Sequence, residues 1–229
     1  DEYLNNTHAK NVITDKKIGW LMETREVYPK RYDDFKRYMN NFDYVLTHDK
    51  DLLNKYPNKT KFVPFGGCWI RDSNFGLTSK SKDISMIYSN KIMFEGHKLR
   101  HHIANNIKDV DLFGRGTPNP VDNKEESLVD YRYSIVIENS KTDNYFTEKL
   151  IDCLAVGTIP IYWGCSNLNG YFNLEGIITF NTLEELNVLL PTLNENLYDS
   201  KLGAIKDNLE KSKEYNVTED WIYKNIINE

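Results

Sequence analysis

The sequence predicts an α/β protein with doubly wound parallel sheets. Two observations carry the prediction. Short apolar or β-branched runs recur along the chain, and several are apolar throughout rather than alternating. That pattern fits strands buried on both faces. Stretches of helical period lie between them, so strand and helix alternate.

The strand-like runs are IGWLM (18–22), FDYVLT (42–47), KFVPF (61–65), DISMIYS (83–89), VDLFG (110–114), SIVIE (134–138), TIPIYW (158–163) and GIITF (176–180). A helix over 96–107 places Leu99, Ile103 and Ile107 on one stripe. A helix over 147–156 places Leu150, Ile151, Leu154 and Ala155 on another. Two further helices are expected at about 182–190 and 195–215, and a short one near 219–228. The polar stretch RDSNFGLTSKSKD (71–83) reads as a linker between an N-terminal lobe, 1–78, and a C-terminal lobe, 79–229. TPNPVDNKEES (117–127) is a loop of the second lobe, and no repeat or low-complexity tract is evident.

Composition bounds the function. Apolar residues make up 40% of the 229 and charged residues 28%, enough for a core and too apolar for disorder. A net charge of −5 disfavours a broad nucleic-acid or anionic-membrane surface but leaves room for a local basic pocket. Cys68, Cys153 and Cys165 have no zinc spacing and read as reduced thiols of a cytosolic protein. No apolar run approaches the ~18 residues of a membrane span, and no signal peptide is visible. The Asn5, Asn58 and Asn216 sequons fit chance in an asparagine-rich chain. A soluble, cytoplasmic protein of bacterial or viral type is expected, with the Golgi lumen an option only if a leader or anchor has been trimmed.

The chemistry begins with a misplaced lysine. Thr147 is a good N-cap for the helix that follows, and Glu148 suits its dipole, but Lys149 does not. The helix over 97–107 repeats the anomaly with His97, Lys98, Arg100, His101 and His102. Both helices start just after a strand-like run, at the sheet edge where ligands bind. Gly114-Arg115-Gly116 follows another strand, where glycine permits close approach to a ligand. Each feature alone reads as a solvated surface. Three at one edge point to a phosphate-bearing ligand, such as a nucleotide. The stretch ENSKTDNYFTEK (138–149) is dense in hydrogen-bonding groups, beyond what a turn needs, and suits sugar hydroxyls. Its bland alternative is a polar surface loop with a capped helix.

These residues resemble a known family. YRYSIVIENSKTDNYFTEKLIDCLAVGTIPIYWG (131–164) is similar to the signature of the α1,3/α1,4-fucosyltransferases. Weaker similarity runs through FDYVLTHD (42–49), SNKIMFEGHKLR (89–100) and VDLFGRG (110–116). The resemblance implies a GT-B fold of two Rossmann-like lobes that binds GDP-fucose in the cleft, inverts the anomeric centre and needs no metal or other cofactor. By matching position, Arg100 and Lys149 would hold the diphosphate. Ser89, Asn90, Asn139, Tyr145, Gly114, Arg115 and Gly116 would line the donor site. Glu148 would contact the sugar or ribose and help stabilise the cationic transition state. A glutamate of the first lobe would be the catalytic base, with Glu23 the choice and Glu26 the fallback. The partners implied are GDP-fucose and a glycan acceptor, with no nucleic acid and no membrane segment.

Three rival readings stand beside it. The chain could use another nucleotide sugar on the same fold. It could be a metal-dependent transferase using Asp109-Val110-Asp111, or a nucleotide-sugar or glycan-binding module without activity. The short first lobe is a departure from the family pattern, and the acceptor is not readable.

Overall fold

The computed structural model describes residue 4, residues 11–115 and residues 117–228. Two separate sheets form within it. The first has the order β1-β2-β3, with β1 Ile18–Leu21, β2 Tyr44–Thr47 and β3 Thr60–Phe62. The second has the order β5-β4-β6-β7-β8, with β4 Lys82–Ile87, β5 Asp111–Phe113, β6 Tyr131–Ile137, β7 Ile159–Trp163 and β8 Ile178–Thr179. All of these pairings are parallel. Strands β2, β6 and β7 are buried at every position, as their unbroken apolar runs require.

The helices are α1 Pro29–Asp33, α2 Phe35–Tyr38, α3 Lys50–Lys55, α4 Glu95–Asn106, α5 Glu148–Ala155, α6 Leu183–Leu189, α7 Glu195–Ser200, α8 Leu202–Ser212 and α9 Thr218–Ile222. Leu99, Ile103 and Ile107 of the α4 stripe join one apolar cluster, and Leu150, Ile151, Leu154 and Ala155 of α5 join another. Helix α5 stops where glycine allows it. Gly157 has φ +69°, its N–H bonds the Leu154 carbonyl at 3.1 Å, and Thr158 N–H bonds the Cys153 carbonyl at 3.0 Å. That is the Schellman arrangement.

The expected helix over 195–215 is interrupted. It divides at Lys201, whose ψ of 4° ends α7 and whose ammonium reaches the Glu175 carbonyl at 2.7 Å. The stretch 71–81 is also pinned rather than free. Arg71 pairs with Glu125 at 3.0 Å, and Lys80 Nζ reaches the carbonyls of Val129 and Val156 and the Thr158 hydroxyl within 3.0 Å. After α8 the chain returns to the first sheet. Ile222 and Ile226 pack with Tyr44, Leu46 and Val63, and Trp221 meets Phe62 edge-on.

Strand order places the site. The chain leaves β4 to one side for β5 and returns to the other side for β6, so the order reverses between β4 and β6. Ligands of open α/β sheets bind at such a reversal, beyond the carboxyl ends of the strands. Helix α4 follows β4 and α5 follows β6, so their N-termini stand side by side at that point.

Candidate active site

Glu138 directly follows strand β6, and its N–H bonds the Trp163 carbonyl at 2.9 Å. Its carboxylate is fully buried at 0% exposure and turns back onto the start of α5. Thr147 N–H donates to it at 2.9 Å and the Thr147 hydroxyl lies 2.7 Å away. Thr147 also caps the helix, its oxygen accepting from Lys149 N–H at 3.3 Å. The Lys149 ammonium is thereby gathered over the helix start. It lies 3.0 Å from the Thr147 hydroxyl, 3.0 Å from a Glu148 oxygen and 3.7 Å from Glu138.

From the neighbouring helix, Arg100 brings a guanidinium that is only 7% exposed. It donates to Asn139 Oδ1 at 2.9 Å, while its buried Nε has no protein partner. Helix α4 can come this close because residue 96 is glycine. A Cβ there would stand 1.7 Å from the Glu138 carbonyl oxygen. His97 is buried beside Arg100, its ring stacked on Phe94. His101 stays at the edge against Tyr88 and the Lys91 carbonyl, and His102 is exposed.

The charges hold one another. Burial works against the Lys149 ammonium, but Glu138 and Glu148 outweigh it and raise its pKa. Burial likewise opposes the Glu148 charge, yet Lys149 and Lys124 keep that carboxyl below its ordinary value. Burial lowers Arg100, with Glu138 and Glu148 opposing, and pulls His97 down to about 4 with help from Arg100. Two cations, two helix N-termini and a neutral imidazole therefore meet at one sheet edge. Such a group can bind a diphosphate and stabilise negative charge as it develops on a leaving group.

The first lobe closes against this group. The Tyr145 hydroxyl, fully buried, donates to Glu23 Oε2 at 2.7 Å. Burial, Glu138 and Glu23 hold its pKa well above the ordinary phenol value, so it stays a donor. Glu26 is placed differently: exposed, it accepts from the backbone N–H of Glu95 at 3.1 Å and so caps α4 from across the cleft. The Thr24 and Ser140 hydroxyls lie 2.6 Å apart, Asn144 Nδ2 donates to the His48 carbonyl at 3.1 Å, and Lys50 pairs with Asp143 at 2.5 Å. Gly66 forms a parallel bridge with Thr147, which brings the 66–69 segment alongside the start of α5.

Most of the expected site residues thus converge. Glu23, Arg100, Asn139, Tyr145, Glu148 and Lys149 share one neighbourhood. Ser89 and Asn90 lie in the turn between β4 and α4, half-buried and exposed. Gly114 has φ +113°, and its close approach is to the chain itself, since a Cβ would lie 2.1 Å from the Tyr88 carbonyl oxygen. Arg115 is exposed, and Gly116 lies outside the described residues. Asp111 accepts from the Tyr131 hydroxyl at 2.7 Å, and Asp109 adopts φ +64°. All three cysteines are free thiols. Sequence reasoning counted Glu138 and Ser140 only among the polar groups suited to sugar hydroxyls, and it passed over Gly96 and Thr24. Only the first two had a signal, as members of the dense polar stretch.

Comparison with known proteins bears on the same region. Residues 77–201, more than half of the chain, match the model of glycosyltransferase family 10 (fucosyltransferase), C-terminal. The rat α-(1,3)-fucosyltransferase 7 is 26% identical over 208 residues, 85% of this chain and 54% of that protein. The Helicobacter pylori α-(1,3)-fucosyltransferase FucT is 40% identical over 58 residues, 25% of this chain and 12% of that protein. The chain spans about half the length of the mammalian relatives it matches. A solved α1,3-fucosyltransferase with GDP superposes with a TM-score of 0.58 at 19% identity, over 87% of this chain and 74% of the other. Another with GDP-fucose gives 0.58 at 18% identity, over 91% and 81%. The shared architecture is the two-lobed GT-B fold. No helix among the described residues is long and apolar enough to cross a membrane. By its family match and its fold, this chain is a member of glycosyltransferase family 10, the fucosyltransferases.

Proposed function

We propose that this chain transfers L-fucose from GDP-fucose to a hydroxyl of a glycan acceptor, with inversion at C1, in an α1,3-type linkage and without a metal. The second lobe, 79–229, carries the donor side. The first, 1–78, carries the acceptor side and the base, with the closing helix crossing back to it. The observation that carries the reading is the hydrogen bond from Tyr145 to Glu23. It sets a carboxylate of residues 1–78 beside the helix start that bears Lys149.

In the reaction the acceptor oxygen attacks C1 and its proton passes to Glu23. The bond from C1 to the β-phosphate oxygen breaks, and its electron pair stays on GDP. Arg100 and Lys149 face that growing charge, where oriented donors contribute most. Glu148 stands beside Lys149 at the sugar or ribose. The two cations and two helix N-termini supply the countercharge a divalent ion gives elsewhere, which supports metal independence. The names of the relatives support GDP-fucose and the α1,3 linkage.

The test is single-turnover transfer from GDP-fucose in EDTA, with product linkage read by NMR. Glu23→Gln should keep donor binding and lose on the order of 10²–10⁴ in rate, the span of a positioned base. If Glu26→Gln shows that loss and Glu23→Gln does not, the base is misassigned. Absence of transfer only when metal is removed would overturn metal independence.

A further inference from the structure

We infer that Glu138 is the positioning residue of the donor site, a buried countercharge that sets the place and protonation of Lys149 without touching substrate. Its role for the donor rests on the proposed GDP-fucose reading; its pairing with Lys149 does not.

Four elements meet at this one side chain. Glu138 directly follows β6, bonds the N-cap of α5 through two donors, receives the Tyr162 hydroxyl of β7 at 3.4 Å, and has the start of α4 against its backbone at Gly96. Gly164 follows β7, and a Cβ there would lie 2.5 Å from Glu138 Cγ. Moving the carboxylate would therefore move the start of α5, while the start of α4 rests on the Glu138 backbone.

Hydrogen-bond donors converge on its carboxyl group. The Tyr162 oxygen accepts from Cys165 N–H at 3.1 Å, so its own hydrogen goes to Glu138. The Thr147 oxygen accepts from Lys149 N–H and from the Lys149 ammonium, so its hydrogen also goes to Glu138. With Thr147 N–H, three donors converge on a group that, ionised, is acceptor only. Burial raises the carboxyl pKa and the Glu148 charge adds to the rise, while Lys149 and the two Thr147 donors favour the charged form without cancelling it. The groups facing Lys149 are Glu138 from β6, Glu148 from its own helix, and Arg100 and His97 from α4. Arg100 disfavours its charge, and His97 beside it is neutral. Glu148 is partly exposed and is placed to turn toward a ligand, whereas Glu138 is walled in, so Glu138 is the permanent partner.

The experiment follows Lys149 directly by NMR of the full chain with 13C-labelled lysine, its resonance identified by its loss in Lys149→Arg. In the unsubstituted protein Lys149 should titrate above its ordinary 10.5. Glu138→Gln keeps much of the hydrogen bonding and removes the charge, and it should weaken proton binding by Lys149 at least tenfold. Glu138→Asp restores the charge and should recover most of that loss. In parallel, the fall in GDP affinity from pH 7 to 9.5 should be about twofold larger in Glu138→Gln than in the unsubstituted protein. A purely structural Glu138 would lower stability without moving either titration. An unshifted Lys149 in folded Glu138→Gln overturns the proposal. Should that variant not fold, a Lys149 titrating at or below 10.5 in the unsubstituted protein overturns it, and a raised one that drops in Glu138→Asp upholds it. Lys149 behaving as expected while GDP fails to bind would sink the donor reading and leave the pairing standing.

Discussion

Lowering the pH from 7 to 5 should destabilise this protein through a histidine at the junction of the two lobes. His48 is 3% exposed, its ring 5.2 Å from that of Tyr145. Burial pulls its pKa from 6.5 to about 4, against the opposing pull of Asp49. The unfolded chain therefore takes up a proton below pH 6.5 that the folded one refuses until about pH 4. Stability is full above the unfolded value and is lost as pH falls below it. At about 1.4 kcal/mol per pKa unit, the loss from this one side chain between pH 7 and 5 is about 2 kcal/mol. His97, also pulled to about 4, acts in the same direction. Carboxylates with depressed values, such as Glu125 at about 2, change their contribution mainly below pH 5 and leave the window largely clear. Urea unfolding at pH 7 and 5 measures the effect, and His48→Gln should shrink the pH-dependent loss by about 2 kcal/mol. An identical pH dependence in the variant would refute the reasoning, because it would mean that His48 titrates alike in the folded and unfolded chain.

Further predictions concern the cradle itself. Lys149→Ala should weaken GDP binding about 10–100-fold, the equivalent of one hydrogen bond to a charged group. Transfer should fall further still, since the leaving group is most negative as the bond breaks; calorimetry and turnover together check this, and near-normal activity would remove Lys149 from the site. Gly96→Ala should destabilise by at least about 3 kcal/mol, the upper range for overpacking. The clash there is with backbone, 1.7 Å from the Glu138 carbonyl oxygen, and no side chain can turn aside to relieve it. An unchanged melting temperature would show that α4 can lift off the Glu138 carbonyl at little cost.

Local sequence determined the elements because their signals are local. Runs such as SIVIE and TIPIYW carry unbroken apolar centres, IVI and IPIYW, and the strands appear where they lie, within a few residues. The stripe Leu150, Ile151, Leu154 and Ala155 is buried as its spacing requires. Thr147 caps its helix, and the out-of-place Lys149 lies where Glu138, Glu148 and Arg100 gather. The break at Lys201 gave no such signal, since neither glycine nor proline stands at that position.

Only tertiary structure decided how the charges are shared. The sequence contains Glu23, Glu26, Glu138 and Glu148 as similar carboxylates. Folding gives Glu23 to Tyr145, Glu26 to the start of α4, Glu148 to the Lys149 ammonium, and Glu138 to a sealed place beneath it. A carboxylate's role depends on what surrounds it, and these surroundings come from strands and helices up to 122 residues apart. Pattern along the chain can say that a residue is acidic and where its strand ends. Which proton or cation it faces is fixed only when the reversal between β4 and β6 brings two helix starts together and the first lobe closes over them.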